Sequence, residues 1–462
     1  MKKFTYSILL MLVALSAVIG LSITNTYVLK NNPENLEVTV YNSNLGVIKE
    51  LRTQYLNTGT NHLLYEGVAS KIDPTSVKIK SINGNVEIIE QNYRYDLISK
   101  SKILQRYIGK NITAYQTYGD KKEIVEGTLL SYSNNQLVLK TREGIKLFSS
   151  DDLDLQELPE GLITVPTLDW QIYTEEEKTH NLEMSYMTSG MSWKADYVAT
   201  INKDDTKLDF NGWVTVTNNA GTTFKNTSLK LVAGDVNRVT TPRGYSDNTV
   251  YAEKSSGGGS SFEEENLFEY YMYTLQRRTT LNNNEQKQIS FIDSENINVE
   301  KEFVYENNRW YGSNKKINVM LNFDNTKINN LGIPLPKGTI KIFKKDNEGK
   351  LQFIGEDGID HTPKDETLRL LVGQAFDIVG ERTQVDYNKL AGWYEYKWKV
   401  TLKNHKDENI EVTVLENTGG DWEIVNENYP HTKESNYKLK WKIPVTANSE
   451  SNLEYTIRYK RW

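Results

Sequence analysis

A chain of 462 residues is longer than a single hydrophobic core usually grows, so two or three domains are the expected organisation. Its formal net charge of −6 provides no basic field for a phosphate backbone, which argues against nucleic acid as a partner. The sequence holds no cysteine, which excludes disulfides, thiol nucleophiles and thiolate metal sites. Stability must therefore come from packing.

The N-terminus has the charge order of an export signal. Lys2 and Lys3 precede an uncharged run that reaches Tyr27, and the next charge is Lys30. The apolar run is long for a cleaved signal peptide and long enough to cross a bilayer. We therefore predict that residues 1–28 form a signal anchor, with a cleaved signal peptide as the alternative. In both cases the rest of the chain is expected outside the cytoplasm, tethered to the cell membrane or secreted.

Two small units are predicted next. Residues 29–102 form an N-terminal β unit with a short helix, because "SVKIKSINGNVEIIE" alternates around an Asn-Gly turn and "YDLISKSKILQRYIGK" has apolar residues near helical spacing. Gly109 occupies the position of a C-terminal helix cap. Residues 103–165 contain short alternating segments separated by Gly-Asp, Asn-Asn and Glu-Gly turns, which predicts a small β-barrel-like unit inserted after the helix.

Residues 166–462 carry the longer alternating segments of one or more β-sandwich domains. Within them, residues 241–267 contain a Ser/Gly run and an acidic triplet, which predicts a flexible loop. The segments "WVTVTNN" and "WKVTLKNH" each end in Asn before a polar turn, which indicates two sandwich units of similar construction, although chance similarity would give the same pattern. The predicted fold is therefore all-β: Ig-like β-sandwich units, an N-terminal β unit with one short helix, and a small inserted β-barrel.

Several longer segments resemble a known family. "SYMTSGMSWKADYVATI", "LKLVAGDVNR", "YTLQRRTTLNNNEQKQISF", "FIGEDGIDHTPKDE", "GQAFDIVGERTQ", "LKNHKDENIEVTVLE", "GDWEI" and "LEYTIRYKRW" occur in this order. They resemble the bacterial family known as domain of unknown function 4139. The earlier "DPTSVKI" and "EQNYRYDLISKSKILQRYIGK" resemble the N-terminal part that often precedes it. The resemblance covers most of residues 36–462 and implies an all-β, often exported protein, without implying an activity.

One acidic stretch, "GEDGIDHTPKDE", is the strongest candidate for chemistry. Glu356, Asp357 and Asp360 offer oxygen ligands that could hold Ca²⁺, and His361 beside Asp360 could relay a proton. The spacing does not follow an EF-hand. Because the stretch lies between two strand patterns, we expect a hairpin loop in which His361 or Thr362 bonds the backbone, and the four residues remain weak metal candidates.

Other local signatures of catalysis are missing from the sequence. The five histidines are scattered, and the sequence contains no H-E-x-x-H, G-x-S-x-G, Walker loop or G-x-G-x-x-G. No cofactor is predicted. A pair of carboxylates needs no local signature, so carboxylate-dependent hydrolysis stays open.

Aromatic residues form a second pattern. "FEYYMYTLQRR" and "GWYEYKWKVTL" set Tyr and Trp at alternate positions, which predicts an aromatic sheet face. If exposed, such a face could stack on sugar rings or bind peptides; if buried, it is sandwich core, and burial is the favoured interpretation.

Three functional hypotheses follow. The first is a non-enzymatic protein that binds or scaffolds another envelope component, a protein or a glycan. The second is an extracytoplasmic, glycan-directed hydrolase using Glu356, Asp357 or Asp360, which would require two carboxylates roughly 5–10 Å apart across a cleft. The third is an assembly subunit that self-associates through sheet edges. The sequence itself fixes neither the ligand nor the oligomeric state.

Overall fold

The structure of the protein is a computed structural model. It describes residues 25–29, 33–118, 121–149, 152–157, 159, 161–234, 236–237, 262–267, 270–308 and 316–460. The regular secondary structure of these residues is almost entirely β-strand, with one α-helix and one 3-10 helix among them. The prediction of an all-β chain with a single short helix is confirmed.

The strands and helices are numbered in chain order. The first group is β1 (Asn25–Leu29), β2 (Asn35–Tyr41), β3 (Leu45–Leu56), β4 (Gly59–Glu66), β5 (Ile72–Ser81), β6 (Glu87–Arg94), α1 (Lys100–Arg106), β7 (Asn111–Tyr118), β8 (Lys121–Ser133), β9 (Gln136–Thr141), β10 (Gly144–Ser149), β11 (Leu153–Asp154) and β12 (Thr167–Thr174). The second group is β13 (Lys178–Thr188), β14 (Met191–Ile201), β15 (Lys207–Asn218), β16 (Phe224–Ala233), β17 (Phe262–Leu267), β18 (Tyr270–Leu275), β19 (Thr279–Leu281) and β20 (Glu285–Asn298). The third group is β21 (Glu300–Asn308), β22 (Lys316–Asp324), a 3-10 helix (Lys327–Asn329), β23 (Gly338–Lys345), β24 (Leu351–Ile359), β25 (Thr367–Leu390), β26 (Trp393–Asn404), β27 (Ile410–Asn417), β28 (Trp422–Glu427), β29 (Thr432–Ser435), β30 (Lys438–Val445) and β31 (Ser449–Lys460).

In the described part of the chain these strands form five sheets, called the first to the fifth in the following order. Their strand orders are β1-β4-β12-β6, β10-β9-β8-β7-β11, β17-β18-β16-β2-β3-β13-β5 with β19 beside β16, β20-β15-β14-β23-β24, and β28-β31-β26-β25-β22-β21-β27-β30-β29. Most neighbours are antiparallel, and the parallel pairs are β1–β4, β16–β2, β14–β23 and β21–β27.

The first, third and fourth sheets share one hydrophobic core, in which Val38, Trp170, Met184, Phe210 and Ile340 are all buried. This differs from the predicted boundary at residue 166. β12 pairs with β4 and β6, and β13 pairs with β3 and β5, so strands on both sides of the insertion belong to the same sheets. Long-range strand pairing, which the local pattern does not show, joins the N-terminal strands to the strands that follow residue 166.

The second sheet and α1 form a small unit with its own core, so the helix packs with this sheet and crosses the predicted boundary between residues 102 and 103. Ser99 caps the helix by accepting a hydrogen bond from the Lys102 amide. Leu104 is buried on the unit's core, and Gly109 takes the positive φ of 88° that a residue following a helix often needs.

The fifth sheet encloses a separate core and curves until its two ends approach each other. Trp441 on β30 and Tyr455 on β31 contact each other with ring centres 4.8 Å apart, although their strands lie far apart in the sheet order. The fifth sheet therefore packs around its own core, separate from the core that the first, third and fourth sheets share.

The two Asn-terminated segments are alike in structure. Asn218 and Asn404 are both buried at the ends of strands, and each side-chain amide donates to backbone carbonyls of the following turn. Each side-chain oxygen also accepts an amide two residues on, from Ala220 and Lys406. The sequence similarity thus corresponds to the same turn-closing device in two cores.

Two predicted segments lie wholly or partly outside the described residues. For the predicted signal anchor, residues 1–24 are outside, and Asn25–Leu29 form β1. Among the described residues, no helix is long and apolar enough to cross a membrane. For the predicted loop at 241–267, residues 241–261 are outside, whereas Phe262–Leu267 form a strand because they pair with β18.

Candidate functional site

The acidic stretch does not form the predicted hairpin loop. Glu356 and Asp357 lie within β24, an edge strand of the fourth sheet, and the chain then crosses to β25 in the fifth sheet. β24 pairs with the strand before it, where Glu356 lies opposite Lys341. Pairing with the preceding strand, which the local pattern could not show, therefore extends the strand into the acidic residues.

Asp357 and Asp360 have separate partners. The Asp357 carboxylate accepts a hydrogen bond from the Leu371 amide at 2.7 Å, and Asp360 is highly exposed with a single lysine, Lys337, at 3.4 Å. His361 accepts the Lys337 amide through Nδ1 at 3.1 Å. The predicted contact of His361 with the backbone is confirmed.

The hydroxyl of Thr362 completes this turn by donating to the Asp360 carbonyl at 2.8 Å. No group of three or more His, Asp or Glu side chains with the geometry to hold a metal ion occurs among the described residues. The residues around Asp360 form a turn that side-chain to backbone hydrogen bonds hold in place.

An aromatic surface on the fifth sheet is the stronger candidate. Four side chains, from β25 and β26, form it, and we call them the aromatic platform: Tyr387, Tyr394, Tyr396 and Trp398. Tyr387 is 45% exposed and the other three are partly buried. Tyr396 and Trp398 pack against the core of the fifth sheet, and Tyr387 and Tyr394 extend the row beyond it. A row of large aromatic rings that is not fully buried calls for a functional explanation.

The platform rings stand in a continuous row. The centres of Tyr394 and Tyr387 are 6.4 Å apart, those of Tyr387 and Tyr396 are 5.0 Å apart, and those of Tyr396 and Trp398 are 6.3 Å apart. The Tyr396 and Trp398 rings are nearly parallel, with 11° between their planes, and Tyr387 and Tyr394 differ by 18°. Rings in such an arrangement stabilise one another and remain in fixed positions.

Strand alternation and one irregularity bring these rings together. On β26, Tyr394, Tyr396 and Trp398 follow each other at every second position and therefore share a face. On β25, the register shifts between Gln384 and Asp386, so that Tyr387 lies directly opposite Tyr396. Without this β-bulge the residue opposite Tyr396 would be Asp386.

Beneath the platform lies a buried ion pair. Arg382 donates to the Glu416 carboxylate, and the Tyr455 hydroxyl donates to the same carboxylate at 2.9 Å. Burial raises the pKa of Glu416 above its ordinary value even though Arg382 and Tyr455 oppose that rise. Burial likewise raises the pKa of the nearby Tyr305 to about 12. The rings therefore rest on a rigid, dry interior.

The other aromatic segment, "FEYYMYTLQRR", places Tyr273 in the core, which confirms the predicted burial for that residue. Tyr273 on β18 is buried, donates its hydroxyl to the Pro334 carbonyl at 3.2 Å, and packs edge-on against Phe291. The sequence signal was the same for both segments. Tyr273 belongs to the shared core, whereas the platform begins at the border of the fifth sheet's core, where Tyr396 and Trp398 pack, and continues beyond it to Tyr387 and Tyr394.

These features define a class of all-β protein with three separate cores and no metal cluster among the described residues, and with a row of partly exposed aromatic rings on one sheet. The chain belongs to the family of the domain of unknown function DUF4139, whose family model matches residues 182–460. A comparison with curated proteins found none that matches. The expectation from sequence resemblance is thus confirmed for the part of the chain that carries part of the third sheet and all of the fourth and fifth sheets, including the platform.

Proposed function

We propose that this protein is a binding protein of the bacterial cell envelope, and that the aromatic platform holds a glycan. The observation that carries the proposal is the row of rings in Tyr387, Tyr394, Tyr396 and Trp398, with successive centres 5.0 to 6.4 Å apart. Its position outside the cytoplasm is supported by the export-like N-terminal sequence.

The chemistry of the platform suits a sugar chain. The apolar C–H face of a pyranose ring packs against an aromatic ring, and tyrosine adds a hydroxyl that can bond sugar hydroxyls. A row of rings favours an elongated ligand over a single small molecule. A peptide would more commonly add a strand to a sheet edge, whereas the platform is a sheet face.

Support for the alternative, a carboxylate-dependent hydrolase, is weaker. Asp357 is engaged by a backbone amide, and Asp360 is 92% exposed with a lysine beside it. Neither residue lines a cleft opposite a second carboxylate in the described contacts. No specific observation favours this second function.

Co-sedimentation with insoluble glycans tests the proposal. The full chain is mixed with purified peptidoglycan sacculi, chitin or cellulose, and the bound fraction is compared with that of Tyr387→Ala and Tyr396→Ala variants. Removing one stacked ring should weaken binding about fivefold, the equivalent of about 1 kcal/mol. The control is Tyr437→Ala, since Tyr437 is 64% exposed and lies outside the platform.

Two results would overturn the proposal. One is equal binding by the platform variants and the control. The other is binding to sacculi that disappears when attached proteins are removed by protease but survives digestion of the glycan, since that outcome identifies a protein partner.

A further inference from the structure

β24 is an edge strand with exposed apolar side chains. It ends the fourth sheet, and its residues Leu351, Phe353 and Ile354 are 54%, 56% and 38% exposed. The strand at the opposite edge of the same sheet, β20, exposes polar residues such as Gln286 and Gln288 instead. An exposed apolar edge strand is a template for pairing with another strand.

The local structure holds the apolar side chains of this edge in place. The register of β23 and β24 shifts between Ile342 and Phe343, so that Phe353 lies opposite Phe343. Their ring centres are 5.7 Å apart in an edge-to-face arrangement. A fixed Phe353 ring, at an edge that no other described strand pairs with, costs little further side-chain entropy when a partner covers it.

The segment formed by Lys350 and β24 is complementary to a second copy of itself. If two copies pair antiparallel about a two-fold axis at Phe353, position 350 of one copy faces position 356 of the other. Lys350, the residue before β24, then lies opposite the exposed Glu356, so its exposed side chain can exchange its present partner Glu348, 2.7 Å away, for Glu356 of the other copy. The two Phe353 side chains face each other at the centre, a favourable cross-strand aromatic pair.

We propose that the protein forms a two-fold symmetric dimer through antiparallel pairing of β24 with β24 of a second copy. This self-complementary contact closes after two subunits, as an isologous interface does. A dimer would present two aromatic platforms to one polymeric ligand and so raise its apparent affinity. The dimer itself does not depend on the glycan proposal.

The absence of native cysteine makes a specific test available. In the full chain carrying only Phe353→Cys, mild oxidation should give a disulfide-linked dimer, because directly paired residues have Cα atoms about 4.5–5.5 Å apart. Lys350→Cys and Glu356→Cys should not form self-dimers, since each lies about 20 Å from its own copy in this register. A mixture of those two variants should give the linked dimer.

A matched control and an independent measurement complete the test. Val425→Cys places a thiol at a residue of similar exposure, 47%, on a different sheet, and should give little linked dimer. By sedimentation velocity the native chain should reach the dimer mass as concentration rises, and Phe353→Lys should shift it to monomer. A monomer at every concentration, or equal linking by Val425→Cys, would overturn the proposal.

Discussion

The guanidinium carbon of Arg382 lies 3.4 Å from the centre of the Trp398 ring. This contact joins the aromatic platform to the buried ion pair beneath it, because the same guanidinium bonds Glu416. A cation over an aromatic face is strongest where water is excluded, and Arg382 is almost completely buried. The position of the last platform ring is therefore set by the core of the fifth sheet.

We expect the loss of Glu416 to destabilise the fold strongly. Glu416→Leu leaves the Arg382 guanidinium buried without its carboxylate, which should lower the free energy of unfolding by about 3–5 kcal/mol. The double variant Arg382→Met/Glu416→Leu should lose much less than the sum of the single variants. Urea unfolding measures all three, and additive losses would contradict a coupled buried pair.

Asp169 should stabilise the first sheet, because its carboxylate links neighbouring strands on the outer face of that sheet. It bonds His62 of β4 and Arg94 of β6, and His62 in turn contacts Thr26 of β1. Since these side chains link all the strands of that sheet, Asp169→Ala should cost about 1–3 kcal/mol or more in urea unfolding. Asp204→Ala, at an exposed position, is the control and should be near neutral.

The Asp205 carboxylate forms a contact that acid should weaken. Burial favours a higher pKa for Asp205, but hydrogen bonds from Lys301 and Lys344 outweigh it and hold the pKa below its ordinary value of 3.8. Because the pKa of Asp205 is lower in the folded state, this group contributes stability above pH 3.8. That stability is lost as the pH falls through the pKa of the folded state. Unfolding midpoints of the native chain should therefore drop more steeply with acid than those of Asp205→Asn. Parallel acid curves would disprove this contribution.

Gly355 should be far less tolerant of a side chain than Gly358. A Cβ at Gly355 would lie 2.1 Å from the Val372 carbonyl oxygen, whereas at Gly358 the nearest atom is 4.0 Å away. We expect Gly355→Ala to lower stability by about 1–3 kcal/mol because β24 and β25 must separate, and Gly358→Ala to have little effect. Thermal melts of the two variants make the comparison, and equal melting temperatures would contradict this packing.

Thermal melts with added Ca²⁺ or EDTA test the acidic stretch directly. Because Asp357 and Asp360 have separate partners, we expect no cation-dependent shift in the native chain. A shift that disappears in Asp360→Ala/His361→Ala would instead establish a metal site there.

Local sequence patterns were sufficient to predict much of the fold. The strand content, the short helix near Lys100, the small unit after it and the backbone-bonding turn at His361 all depend on neighbours in sequence, so periodicity and turn residues predict them. The extent of β24 into Glu356 was missed, because pairing with β23 overrides the polar character of those residues.

The sequence by itself determined the all-β class, the family resemblance and the alternation that puts Tyr394, Tyr396 and Trp398 on one face. Only the tertiary structure decided that this face is partly exposed while Tyr273 is core, and that a bulge adds Tyr387 to it. It likewise decided that strands on both sides of the inserted unit share a core. The physical reason is that alternation specifies which residues share a face, whereas exposure depends on which distant strands pack against that face.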